Sequence, residues 1–206
     1  MIVYVESNFV LELALEQEQC QSCGDILVIC KSGDARLVIP AFSIAEPYET
    51  LGRRARERVQ LKTSLANELK LLSRSQSYQK EISALQDVTT LLVKSGEEEN
   101  RRLHQVLDRI LNVAELIPLE RGILTEALKL QSRFDLNPPD SIVYASVLHH
   151  LAKATAGNKC FLNRNSRDFD DPDIEAQLST YGCKMLFRFD SGLDYIQSQI
   201  RPRTNL

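Results

Sequence analysis

The chain has 206 residues, 43% hydrophobic and 26% charged, with 25 Lys+Arg against 28 Asp+Glu and a net charge of -3. That composition suits one globular domain with a sizeable core, and it excludes a uniformly basic chain that coats nucleic acid. Any phosphate-binding surface must be local and offset by acidic residues elsewhere.

The opening Met1-Ile2-Val3-Tyr4-Val5 lacks the features of a signal peptide, and no apolar run approaches the ~20 residues that span a bilayer. The five cysteines, Cys20, Cys23, Cys30, Cys160 and Cys183, are an odd number. With no export signal, reduced thiols in the cytoplasm are the expectation.

Residues 2–5 are mostly β-branched and read as a buried strand. Ser7 then offers a cap for a helix over about residues 8–18, with Phe9/Leu13 and Val10/Ala14 as its apolar face. A second helix follows over 22–31, ended by Gly33. Residues 37–39 form the next strand, closed by Pro40, and helical pattern resumes near Ser43. From 51 to 116 no strand-like run occurs; two long helices are expected, broken near 94–98. Further helices cover 119–133 and, after Asn137-Pro138-Pro139, the stretch to about 153. A third strand at 159–162, a helix opened by Asp171-Pro172, a fourth strand at 184–187 and a last helix to about 199 complete the pattern, leaving 201–206 as a loose tail. Strands separated by helices imply parallel pairing with helices on both faces.

Four carboxylates occupy informative positions. Glu6 follows the first strand, Glu46 lies in the helix after the second, Asp140 opens the helix after the double proline, and Asp168 follows the third strand. Function in open parallel sheets gathers outside the carboxyl ends of the strands. Clustered carboxylates raise each other's pKa unless a cation neutralises them, and all-oxygen donors suit Mg²⁺ or Mn²⁺. Each residue also has a purely structural role available. Ser43-Ile44-Ala45-Glu46 fits a capping box, Asn137 to Asp140 repeats that geometry with Pro138 at the first helical position, and Glu6 and Asp168 can simply solvate strand ends.

Four segments resemble the PIN-domain family, the fold of many prokaryotic toxin-type ribonucleases. Val3-Tyr4-Val5-Glu6-Ser7-Asn8 resembles its opening strand and acidic-Ser/Thr-Asn signature, and Val38-Ile39-Pro40-Ala41-Phe42-Ser43-Ile44-Ala45-Glu46 its second motif. Pro139-Asp140-Ser141-Ile142-Val143-Tyr144-Ala145 resembles its acidic helix start, and Phe161-Leu162-Asn163-Arg164-Asn165-Ser166-Arg167-Asp168-Phe169 its closing loop. Three positions depart from the pattern: Glu6 stands where Asp is usual, Ser7 replaces the commoner Thr but keeps the hydroxyl, and Asn163 stands where Thr is common.

The resemblance implies an α/β fold. This is a PIN-like three-layer α/β/α sandwich with a central parallel sheet, one domain over 1–206 carrying an inserted long helical segment at 51–116. It also implies a metal-dependent nuclease, acting on RNA, with Glu6, Glu46, Asp140 and Asp168 as catalytic carboxylates. Glu6, Asp140 and Asp168 would hold Mg²⁺ or Mn²⁺, Ser7 would support them with its hydroxyl, and Asn8 and Asn165 would position water or a phosphate. The alternative is a PIN-like nucleic-acid or protein binding module with weak or absent catalysis. A homodimer and an antitoxin-type protein are the further partners the family suggests; a membrane is not.

Arg53, Arg54, Arg56, Arg58, Lys62, Lys70, Arg74 and Lys80 concentrate positive charge in the helical segment, and Glu97-Glu98-Glu99 reverses it. Arg53, Arg54, Arg56 and Arg58 are the candidate nucleic-acid contacts; a solvated face, a subunit contact or a hairpin contact is the competing reading. Cys20-Gln21-Ser22-Cys23 has metal or redox spacing but no second pair to complete a site. His149-His150 near a helix end is explained by favourable charge at a C-terminus.

Overall fold

A computed structural model describes residues 1–200, with the backbone alone for 79–81, 83–87 and 89. The tail expected at 201–206 and the side chain of Lys80 lie outside the described residues. β1 (Ile2–Val5) leads into α1 (Ser7–Ala14) and α2 (Cys20–Lys31). β2 (Arg36–Pro40) leads into α3 (Ala41–Leu72), a 3-10 turn (Gln76–Tyr78) and α4 (Gln79–Leu111). β3 (Glu115–Ile117) precedes α5 (Arg121–Phe134) and α6 (Pro138–Leu151). β4 (Lys159–Leu162) precedes α7 (Ser166–Phe169) and α8 (Pro172–Ser179), and β5 (Cys183–Leu186) precedes α9 (Phe189–Ile200).

The five strands form one sheet in the order β3-β2-β1-β4-β5, parallel throughout. Strand side chains alternate between faces with period two, and both faces are apolar. Val3, Val5, Leu37, Ile39, Cys160 and Leu162 enter one core with Phe9, Ile26 and Phe189. Ile2, Tyr4, Val38, Ile117 and Phe161 enter the other with Leu130, Tyr144 and Ile174. The result is the expected α/β/α sandwich. Among the described residues no helix is long and apolar enough to cross a membrane.

Three expectations are corrected. The long helical stretch breaks at Ser73–Tyr78, not near 94–98, and α4 runs unbroken through Gly96. A helical glycine costs about 1 kcal/mol relative to Ala, and a Cβ added here would stand 3.5 Å from the Arg58 guanidinium, in ordinary contact. Residues 115–117, the first two within the stretch read as strand-free, form edge strand β3 on β2. His150 is more than a charge at a helix end: it accepts or donates at Tyr4 (2.7 Å) and at Glu115 (3.1 Å), tying α6 to two strands.

α3 and α4 are about 48 and 50 Å long at about 1.5 Å per residue. Their base is rooted in the first core by Leu51, Leu103, Val106, Leu107 and Ile110. On the same side, α9 crosses β4 at Gly192, where an added Cβ would stand 2.7 Å from a Leu162 methyl. Leu162 is fully buried and immediately precedes the candidate-site loop. Gly192→Ala is therefore expected to destabilise by about 1–2 kcal/mol through overpacking, measured by urea unfolding; unchanged stability would mean that Leu162 repacks freely.

Candidate functional site

Glu6 directly follows β1 and is only 5% exposed. It, and not Ser7, is the N-cap of α1: its Oε2 accepts from the Asn8 backbone N–H and from the Ser7 hydroxyl, both at 2.9 Å. Its Oε1 is buried without a partner. Burial pushes the carboxyl up to about 7, against the hydrogen bonds from Asn8 and Ser7, and the charge of Glu46 adds to the rise.

Asp140 and Asp168 are brought together from two elements. Asn137 caps α6 by accepting from the Asp140 N–H at 2.9 Å, with Pro138 and Pro139 following it in the first turn. The Asp140 side chain does not complete a reciprocal capping box. Its Oδ2 accepts instead from the Asn137 amide (2.6 Å) and the Asn165 amide (2.7 Å). That same Asn165 Nδ2 donates to Asp168 at 2.8 Å. Asp168 lies in the one-turn helix α7, not in open loop. Asn165 is held in turn, its N–H donating to the buried Asn163 Oδ1 at 2.8 Å. Burial, then the charge of Asp168 and of Glu46, push Asp140 up to about 6, against the Asn137 hydrogen bond.

Glu46 is the sixth residue of α3, which starts at Ala41 with Pro40 as N-cap. The capping-box role for Ser43 and Glu46 is thereby excluded, and the Ser43 hydroxyl is fully buried with no partner. The charge of Glu46 contributes to the rise of both Glu6 and Asp140. Among the described residues, no three His, Cys, Asp or Glu side chains are grouped so that they could hold a metal ion; an amide bridges the two aspartates instead. The thiols contribute nothing here, since burial holds Cys23 well above its usual range, the opposite of what a thiolate ligand requires.

These shifts have a sign in stability. Glu6 rises from 4.5 to about 7 and Asp140 from 3.8 to about 6, so the folded protein binds both protons more tightly than the unfolded chain. That stabilisation is fully present below the unfolded values and is lost as pH climbs through the folded ones. Metal-free protein should therefore lose melting temperature between about pH 4 and pH 7 from these two groups, and Asp140→Asn should flatten that loss. A variant with the wild-type pH profile would remove Asp140 from the titrating pair.

Sequence reasoning passed over one contact. Glu12, on α1 and 1% exposed, pairs with the Arg164 guanidinium, while its Oε2 accepts from the Gln19 N–H at 2.9 Å. Gln19 then caps α9 by accepting from the Phe189 N–H at 2.6 Å. Arg164 lies between Asn163 and Asn165, so this pair anchors the loop that carries two site residues. A lone Glu inside the apolar run Phe9-Val10-Leu11-Glu12-Leu13 was the available signal.

The four candidate arginines divide. Arg58 points across the hairpin and holds Glu99 through two bonds of 2.7 Å. Arg53 pairs with Glu57, one turn along its own helix, at 3.4 Å. Arg54 and Arg56 make no ion pair among the described residues. The basic stretch is thus partly a hairpin contact and partly open.

A family profile described as PIN domain matches residues 3–169. No curated protein and no solved structure matches the chain.

Proposed function

The chain belongs to the PIN domain family, and from that premise we propose that it hydrolyses phosphodiester bonds in nucleic acid, RNA first, with Mg²⁺ or Mn²⁺ held by Glu6, Asp140 and Asp168 and with Glu46 completing the site. The family is generally nuclease-like and typically uses divalent metals. The observation that carries the proposal is Glu6 Oε1, a buried acceptor without a donor beside the acidic surface of Glu46, Asp140 and Asp168. An unpaired buried carboxylate oxygen is costly, and a hard cation with several waters of its own satisfies it without a full protein cage. Bound there, such an ion supplies charge for the phosphoryl oxygens and lowers the pKa of water.

The chain's own residues do the rest. Ser7 and the Asn8 N–H fix Glu6 Oε2 and leave Oε1 without a donor. Asn165 spaces Asp140 from Asp168 and offsets their repulsion with one shared amide. Residues 51–116 are read as an insertion within this single domain. A second reading, a weakly catalytic binding module, is favoured by one observation: Glu6 is committed as the helix cap of α1, so its second oxygen alone is available.

The test is a Mn²⁺ titration. Cleavage of a labelled RNA should vanish with chelator and return with Mn²⁺, and the melting temperature should rise with ion concentration by mass action. A stabilised protein that does not cut would select the binding module. Neither cutting nor stabilisation would sink both readings.

A further inference from the structure

We infer that one side of the outer α3–α4 hairpin is the surface on which a second copy of this chain docks, the two hairpins lying antiparallel and face to face as a four-helix bundle.

The side follows from helix geometry. Leu51 and Leu103 belong to the first core, and beyond them neither helix adds a residue to either core. From Leu51, α3 continues to Leu72, about 31 Å further at about 1.5 Å per residue. Arg58 and Glu99 pair across the seam, their side chains 23% and 12% exposed, and so set its register. A residue beyond Arg58 is level with the one equally far before Glu99. At about 100° per residue, Leu61 and Leu72 lie about 60° and 40° to one side of Arg58. By the same measure Val88 and Leu91 lie about 20° and 80° to one side of Glu99. In an antiparallel pair equal senses of rotation fall on the same side, so the four residues share one face. They are 41% to 64% exposed. Val59 and Val93 turn the other way, by about 100° and 120°. A two-helix hairpin can bury only the stripe between its helices, and a second apolar stripe needs further helices to cover it.

The spacing of the stripe selects a second copy as its cover. Leu61, Leu91, Val88 and Leu72 stand about 4.5, 12, 16.5 and 21 Å from the Arg58–Glu99 pair toward the tip. The midpoint between Leu61 and Leu72, about 13 Å, is therefore the level of Leu91. A two-fold axis lying in the face and crossing the hairpin there sets Leu61 on Leu72 of the second copy, and Leu91 on its own equivalent. A symmetric contact demands this reciprocity, since each residue's partner must find that same residue in return. The same rotation brings Arg74, at the hairpin tip, to within about 3 Å axially of Glu57 of the second copy, placing opposite charges at both rims of an apolar centre. Glu68, on the same side of α3, comes level with Ser64 of the second copy, a hydroxyl that can donate to it. Neighbouring helices are antiparallel throughout, as in an up-down bundle. The two Leu51 bases then stand at opposite ends, about 45 Å apart, which keeps the globular bodies clear of each other.

The experiment is sedimentation of the full chain, free of nucleic acid, across a concentration series. Wild type should reach twice the chain mass. The double variant Leu61→Glu, Leu91→Glu should stay monomeric with an unchanged circular dichroism spectrum, while Val59→Glu, on the opposite side, should still dimerise. A second measurement does not depend on tolerating buried charge: Leu91→Cys, oxidised, should run as a covalent dimer on a non-reducing gel. Val59→Cys should not, nor should wild type, four of whose five free cysteines are buried. A wild type that stays monomeric at every concentration leaves the stripe to a different protein and overturns the pairing. So does a folded double variant that still dimerises, or cross-linking through Val59→Cys as readily as through Leu91→Cys.

Discussion

Asp140→Asn should leave a folded protein that cleaves RNA in Mn²⁺ at least about a hundredfold more slowly than wild type. A metal-assisted site draws several kcal/mol of charge stabilisation from its ion, and about 1.36 kcal/mol is a factor of ten in rate. Asparagine keeps the volume and one oxygen, so the amides of Asn137 and Asn165 still find an acceptor, and the Asn137 cap on the residue-140 N–H is untouched. What is lost is the charge. Initial rates on a labelled strand, with circular dichroism as the fold control, decide the matter. Cleavage at the wild-type rate by a folded variant takes Asp140 out of the site.

Arg164→Ala should destabilise the protein by about 3 kcal/mol, the low end of what breaking a buried ion pair costs because one partner is partly exposed. Glu12 is 1% exposed and Arg164 34%. Without the guanidinium, the Glu12 carboxylate keeps only the Gln19 N–H as a described partner, in an apolar setting that penalises its charge. The double replacement Glu12→Leu with Arg164→Met should recover most of the loss, because no charge is then stranded. Denaturant unfolding of the single and double variants closes the cycle. If Arg164→Ala costs less than about 0.5 kcal/mol, the ordinary range for surface changes, the pair is not the anchor of the 163–165 loop.

Much of this protein was legible in its residues. The alternation that puts Val3 and Val5 on one face and Ile2 and Tyr4 on the other needs only period two. Asn137-Pro138-Pro139-Asp140 announces a helix start through local chemistry alone. Errors arose where distant parts of the chain decide. β3 is three residues long, with Glu115 and Leu116 exposed and Ile117 buried; its strand state comes from pairing with β2, not from its own composition. Gly96 looked like a breaker, but a single glycine costs a long helix only about 1 kcal/mol. The Ser43 capping box failed because β2 runs straight from Pro40 into α3. Glu12 and Arg164 meet only once β4 has paired with β1. The carboxylates were nameable from the family pattern, but the amide that joins Asp140 to Asp168 required coordinates.

The central place of β1 has a consequence for the protein's birth. β1 gains one neighbour, β2, about 34 residues after it is made, but the other, β4, comes about 157 residues later, since Ile2 pairs with Arg36 and with Lys159. At about 5–20 residues per second, a ribosome takes about 8–30 s to supply that second partner. Through that interval an all-apolar edge, Ile2-Val3-Tyr4-Val5, stands open on the nascent chain, a template for pairing with whatever strand is near. The long α3–α4 excursion lies wholly within the wait and lengthens it. The half-made protein, not the finished one, is thus the form most exposed to aggregation, and its yield in cells should depend on translation speed and on the chaperones that meet it.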